Sequence, residues 1–289
     1  MSNIVVSGGA GYIGRVLVNM LVKAGHDVTV IDNFRYRQID DLQGCKVMVG
    51  DVRLVDIPSC DFYIPLAGIV GAPMCNDYPD EATLVNLGHI EHFLKNRSGQ
   101  RIIYPTTNSG YGSGICTEAS PLNPVSLYGR LKVSAERMIL EAGESVTLRL
   151  ATVFGVSPSM RSDLLVNWLV LQAVLGRPVD LYESHFTRNY VYVRDVAYAF
   201  CYCISHFEDM KGEAYNYGLT SCNLSKRELC EVIKDVVPGF VYREVSGIKD
   251  QDQRNYIVSN AKIEDRGLKA EISLRQGIEE LVEWYRKRL

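Results

Sequence analysis

Residues 4–14, Ile-Val-Val-Ser-Gly-Gly-Ala-Gly-Tyr-Ile-Gly, run a short apolar strand into a helix start through Gly8, Gly11 and Gly14. Each glycine answers a different need: a tight turn, close approach of backbone to phosphate, and close packing of helix on strand. The helix carries its apolar side at Ile13, Val16, Leu17, Met20 and Leu21, with Gly25 as its stop. Its N-terminus offers unpaired N–H groups and positive potential to an anion. A glycine repeat alone is a weak signal, but the strand before it and the helix after it make this one a dinucleotide cradle. Tyr12 and Ile13 lie inside its turn. The next strand, Asp27–Ile31, ends on Asp32, followed by Asn33. A carboxylate there can hold both adenosine ribose hydroxyls and repels a 2′-phosphate, so NAD is the expected cofactor. Arg35 and Arg37 read as solvated rather than as a 2′-phosphate site.

Apolar, β-rich runs then alternate with helical patterns. Strands are expected at Ile4–Ser7, Asp27–Ile31, Lys46–Gly50, Phe62–Ala67, Arg101–Thr107 and Val146–Phe154, and helices near Tyr12–Ala24, Pro79–Asn96 and Val125–Ala142, with a short turn around Arg53–Ile57. This alternation specifies an α/β fold, a doubly wound parallel (Rossmann) sheet. After about residue 155 the pattern loosens. A helix at Asp163–Leu175, strands near Val179–Tyr182 and Tyr190–Val193, and helices near Ser225–Val236 and Ser273–Arg286 remain legible. The expected division is residues 1–155 as the NAD-binding domain with the catalytic residues, and 156–289 as mainly a smaller substrate-binding lobe, some segments returning to the sheet. Ligands of open α/β sheets bind at the carboxyl edge of the strands.

The bulk numbers narrow the class. A chain of 289 residues can bury a full core, and a formal charge of −3 gives no general attraction to nucleic acid or anionic membrane. The longest apolar stretch, Leu164–Leu175, is too short to span a bilayer and is interrupted by Asn167 and Gln172. The first strand is expected to begin at residue 4, so no cleaved leader is expected. Eight cysteines lie without a CxxC pair, as expected of reduced thiols in the cytoplasm. His89 and His92 could share a helix face, but no Cys or carboxylate at ligand spacing joins them, and no metal is expected.

Tyr128-Gly-Arg-Leu-Lys132 puts a phenol and an ammonium four residues apart, on one face of the helix over Val125–Ala142. A tyrosine with pKa ~10 needs about 4 kcal/mol of differential stabilisation to act as a base near neutrality. A lysine one turn away and an oxidised nicotinamide can supply it. The spacing alone is common on helix surfaces. Gly129, which leaves room beside the phenol, and Thr107, whose hydroxyl can meet the reacting oxygen at the end of the preceding strand, strengthen it.

Together these residues resemble the extended short-chain dehydrogenase/reductases that modify nucleotide sugars, along essentially the whole chain. The resemblance implies that Asp51 and Val52 meet the adenine edge and that Leu66-Ala67-Gly68 is the turn beside the cofactor. It makes Thr107, Tyr128 and Lys132 the catalytic set. Thr117-Glu118 through Pro121 and Pro124 also match, while Leu127 stands where the family commonly has Pro. The dehydratases carry Asp-Glu where Asn108 and Ser109 stand here, so dehydration is not expected. In the 3,5-epimerases a cysteine takes the place of Ser109. The stretches at 104–112 (Tyr-Pro-Thr-Thr-Asn-Ser-Gly-Tyr-Gly), 149–158 (Arg-Leu-Ala-Thr-Val-Phe-Gly-Val-Ser-Pro) and 185–191 (His-Phe-Thr-Arg-Asn-Tyr-Val) are similar to the GDP-heptose 4-dehydrogenases of capsule polysaccharide biosynthesis. That similarity implies NAD-dependent oxidation of C4 on a GDP-linked sugar and a homodimer built through the helices at 79–96 and 125–142.

Substrate diphosphate needs cations, and Arg161, Arg188 and Arg254 are the candidates. Arg188 leads, because the family grips diphosphate with an arginine just before an aromatic–Val strand. Asn108, Ser109, Met160 and Asn167 are expected to line the sugar and nucleotide cleft. A 4-epimerase using the same residues is the alternative outcome, and a silent NAD sensor a third.

Overall fold

The computed structural model describes residues 1–35, 42–247 and 255–289. Strands follow in the order β1 (Asn3–Ser7), β2 (Asp27–Asp32), β3 (Lys46–Val49), β4 (Phe62–Pro65), β5 (Arg101–Thr107), β6 (Ser113–Cys116) and β7 (Ser145–Leu150). The later half supplies β8 (Thr152–Phe154), β9 (Val179–Tyr182), β10 (Thr187–Tyr192), β11 (Glu213–Tyr217), β12 (Asn223–Ser225), β13 (Tyr242–Val245) and β14 (Asn255–Val258). The helices are α1 (Tyr12–Lys23), α2 (Ala72–Asp77), α3 (Pro79–Thr83), α4 (His89–Asn96), α5 (Leu127–Glu141), α6 (Leu165–Val174), α7 (Val193–Ser205), α8 (Phe207–Met210), α9 (Lys226–Val236), α10 (Ala261–Glu264) and α11 (Leu274–Arg286).

Among the described residues, seven strands form one parallel sheet in the order β11-β7-β5-β4-β1-β2-β3. Its inner strands are buried on both faces, which is why β4 and β7 read as unbroken apolar runs rather than alternating ones. This is the expected Rossmann sheet. Its seventh strand, β11, comes from the C-terminal half, and its register Tyr215↔Leu148 covers the flank of β7.

Two expectations need correction, and one helix carries no earlier expectation. The run expected as one strand at 146–154 divides at Ala151. Its first part stays in the central sheet, and β8 turns away to pair with β10 through Tyr190↔Thr152. No Gly or Pro marks the break, so the apolar run hides it. The helix expected over 79–96 is interrupted at Leu84–Gly88 by a π turn. Helix α7, rich in Tyr, Phe and Cys, does not stand out as a helix in the sequence. It buries Val193, Val196, Ala197, Phe200 and Cys203 and packs against α1; its aromatic and β-branched residues favour strand as much as helix.

Small sheets extend the carboxyl edge: β12-β10-β8, the pair β13-β9, and β14-β6. Helix α9 is fixed by a capping box in which Ser225 and Glu228 satisfy each other's backbone N–H. The eight cysteines are free thiols. No helix among the described residues is long and apolar enough to cross a membrane.

Candidate active site

The glycine turn is built by close backbone approaches. At Gly8, φ is +73° and a Cβ would stand 2.5 Å from the Ala67 amide nitrogen; at Gly14 it would stand 2.4 Å from the Gly8 carbonyl oxygen. Any side chain would therefore push β1 from the end of β4, or α1 from the turn. Gly11 is the N-cap of α1, no side chain caps that end, and its first turn holds no acid. The N–H groups of α1 thus face outward with Ile13 packed against the core behind them. A dinucleotide diphosphate fits this cradle.

Asp32 closes one side. Its carboxylate accepts from Ala10 N–H at 3.0 Å and Phe34 N–H at 2.9 Å, while Asn33 Oδ1 accepts from Arg35 N–H at 3.1 Å. Arg35 is engaged by Glu81 on α3 at 2.6 Å; Arg37 lies outside the described residues. Asp51 is held by Arg53 through Nε at 2.9 Å and a second guanidinium nitrogen at 2.5 Å, an interaction that lowers the Asp51 pKa. Val52 beside it is buried. Leu66 donates its N–H to Ser7 C=O. The turn Leu66-Ala67-Gly68 is braced by Asn86, whose amide exchanges two hydrogen bonds of 2.9 Å with the Ile69 backbone. At Gly68 a Cβ would lie 2.8 Å from Asn86 Oδ1.

Tyr128 and Lys132 project from the first two turns of α5, which starts where the Ser126 hydroxyl accepts from Gly129 N–H at 3.1 Å. At Gly129 a Cβ would meet Pro124 Cβ at 3.0 Å and Ser126 Oγ at 3.3 Å, so the glycine lets the chain leading into α5 pack on its first turn. Thr107 ends β5, and its hydroxyl oxygen accepts from Ser109 N–H at 3.1 Å and lies 2.8 Å from Ser109 Oγ. The Lys132 ammonium sits 3.9 Å above the Tyr104 ring. Burial pushes its pKa down to about 7, with Glu136 and Cys75 acting in the opposite direction. Asn108 is fully buried and neither side-chain amide atom has a protein partner.

A strap from Gly155 to Arg161 crosses the glycine turn. Ser157 Oγ donates to Tyr12 C=O at 2.7 Å and Ser159 Oγ to Ala10 C=O at 2.8 Å. The Tyr12 phenol donates to Gly155 C=O at 2.7 Å, so its side chain engages the strap. Asn167, wholly buried on α6, accepts from Gly155 N–H at 2.9 Å and donates to Arg161 C=O at 2.9 Å and to the Tyr12 hydroxyl at 3.2 Å. Its side chain is thereby committed to bracing the strap. Met160 packs against the main core. Arg161 pairs with Asp163 at 2.5 Å and lies within electrostatic reach of both Tyr12 and Tyr128. Arg188 is buried on β10, one residue from Thr187, whose N–H donates to Asn255 Oδ1 at 3.0 Å. Arg254 lies outside the described residues. Ser157, Ser159 and Glu136 were not singled out by the sequence reading; serines in a loop and a glutamate on a helix carry no distinguishing pattern.

A family model described as the NAD dependent epimerase/dehydratase family matches residues 4–218. The chain belongs to this family. It is 27% identical to UDP-glucuronic acid decarboxylase 1 of Arabidopsis thaliana, covering 99% of this chain and 70% of that one. It is 26% identical to the UDP-glucose 4-epimerase of Halalkalibacterium halodurans, with 90% and 87% covered. The structure of UDP-glucuronic acid 4-epimerase from Bacillus cereus, a complex with UDP-glucuronic acid and NAD, superposes with a TM-score of 0.86 at 20% identity over 99% and 100% of the two chains. The fold and the NAD-dependent enzyme class are thereby established.

Proposed function

We propose that the protein oxidises the C4 hydroxyl of a nucleotide-linked sugar. The observation that carries this reading is the convergence of Tyr128, Lys132 and Thr107 at the carboxyl edge of the sheet, beside a cradle shaped for a dinucleotide diphosphate. NAD supplies the hydride acceptor when bound. Tyr128 takes the C4 hydroxyl proton, Lys132 stabilises the phenolate by its charge and holds the nicotinamide ribose, and Thr107 orients the sugar hydroxyl. Gly8, Gly11, Gly14 and the N-terminus of α1 hold the diphosphate of the cofactor, Asp32 its ribose, and Asp51 with Val52 its adenine edge. Arg161 and Arg188 serve the nucleotide diphosphate of the substrate.

The two 4-epimerases among the named proteins favour return of the hydride to the opposite face of the 4-keto sugar, a UDP-sugar 4-epimerase. A second reading, a GDP-heptose 4-dehydrogenase of capsule biosynthesis that releases its keto product, rests on the segments at 104–112, 149–158 and 185–191. Incubation with UDP- and GDP-linked sugars, with the sugar epimers resolved by NMR and product masses and 340 nm absorbance followed, separates the two. An epimerase returns an isomer of unchanged mass. A dehydrogenase yields a product two hydrogens lighter and one NADH per turnover. No change with any nucleotide sugar would remove both. A homodimer through the helical segments at 79–96 and 125–142 belongs to the same proposal; a monomeric mass in light scattering at micromolar concentration would overturn it.

A further inference from the structure

Glu136 is a carboxylate 2% exposed to solvent, one helical turn beyond Lys132 and two beyond Tyr128 on α5. Arg149 on β7 holds it with a fork, Nε at 3.0 Å and a terminal nitrogen at 2.6 Å. The fork is itself fixed. The other terminal nitrogen of Arg149 donates to the Tyr111 hydroxyl at 2.8 Å and to Glu118 C=O at 3.2 Å, and Tyr111 passes a 2.7 Å hydrogen bond to Asn216 on β11. Strands β7 and β11 and the loop residues Tyr111 and Glu118 thus form one network around this carboxylate beneath the Tyr–Lys face.

Burying such a pair is costly and rarely maximises stability, so its place under Lys132 asks for another role. We propose that Glu136 and Arg149 are positioning residues that hold Lys132 in its charged form over Tyr104. The ammonium is packed on an aromatic face and removed from water, which disfavours its charge; a nearby fixed carboxylate restores it. The other titratable groups around Lys132 are Cys75 on α2, His89 on α4, Tyr104 on β5 and Tyr128 on its own helix. Burial pushes the Cys75 thiol up to about 11 and lowers His89 to about 4, so both are neutral at pH 7. Glu136 is left as the fixed negative charge of the set, and Arg149 sets how strongly Lys132 feels it.

This inference deepens the C4-oxidation reading and rests on it for its functional meaning. Its test needs neither cofactor nor sugar. In the bare protein with 13C-labelled lysines, the Lys132 resonance is the one lost in Lys132→Arg, and its titration reads the ammonium directly. Glu136→Gln should lower the Lys132 midpoint by about one pH unit, and Glu136→Asp should return most of that shift. Arg149→Met should move the midpoint upward, the opposite direction, by exposing Lys132 to the uncompensated carboxylate. Should either single variant fail to fold, Glu136→Gln/Arg149→Met, which removes both charges of the pair, should lie between Glu136→Gln and the parent. A midpoint unchanged in folded Glu136→Gln, or in the double variant, overturns the proposal. So do shifts of the same sign in Glu136→Gln and Arg149→Met. A shift as expected in a protein that oxidises no nucleotide sugar would leave the charge unit standing and sink the C4 reading alone.

Discussion

At the residue scale the chemistry depends on atoms that can be removed one at a time. Tyr128→Phe deletes the phenolic oxygen and keeps the ring, so the oxidation step should be lost while fold and NAD affinity stay near parental. Lys132→Met should lower turnover and weaken NAD as well, because one ammonium is assigned both tasks. Thr107→Val should cost less, about 1–3 kcal/mol in the barrier, for one hydrogen bond at the reacting oxygen. Single-turnover NADH formation distinguishes the three; a Phe variant as fast as the parent across pH would require a different base. His89 gives a separate pH signature. Its Nδ1 bonds Val85 C=O, its Nε2 is buried without a partner, and desolvation lowers its pKa to about 4. Below pH ~6.5 the unfolded chain takes up a proton that the folded one refuses. Stability should therefore fall as pH drops from about 6.5 towards 4, by up to about 3 kcal/mol from this residue. Urea titrations of the parent and His89→Gln at pH 7 and pH 4.5 check this: equal losses in both would exclude His89 as the source.

Individual elements differ in how far their sequences disclose them. The strand at 101–107 has the bounds expected of it, and α5 starts two residues inside its expected range, at the Ser126 cap. The apolar run disclosed the strand and the helical range at 125–142 was legible, while the Ser126 cap that sets its start is seen in the structure. The strap at 155–161 was invisible because its role lies in hydrogen bonds to residues nearly 150 positions earlier, which no local pattern encodes. Gly8 and Gly14 were legible as a cradle, whereas the serines that fix its backbone from behind were not. The strap also carries a prediction. Ser157 and Ser159 orient the Tyr12 and Ala10 carbonyls, and through those peptide planes the N–H groups of the dinucleotide turn. Ser157→Ala/Ser159→Ala should weaken NAD about tenfold, the cost of one to two hydrogen bonds. Ser145→Ala makes the control, since that buried hydroxyl also donates to a backbone carbonyl, Ile139 at 3.0 Å, away from the turn. Calorimetric NAD affinity should drop only in the strap variant; equal losses, or none, would reduce the strap to general packing.

On the scale of the whole molecule, residues of the expected cofactor part and of the expected substrate part pack together. One apolar core runs from Ile4 and Leu17 through Leu148 and Phe200 to Ile278 and Tyr285, joining residues of both halves. The seventh sheet strand comes from residues 213–217, and α7 lies against α1. A fragment of residues 1–155 would lose the partner of β7, a fully buried strand, together with the helix that covers α1. The exposed β7 edge would be an open template for aggregation. The intact chain should accordingly unfold in one cooperative transition, with calorimetric and van't Hoff enthalpies that agree. The fragment should lack a cooperative transition and bind no NAD, although it contains every residue assigned to that cofactor. A soluble 1–155 fragment that melts cooperatively and binds NAD near parental affinity would show that the two halves fold independently, and that the shared core is a contact between finished parts rather than a condition for either.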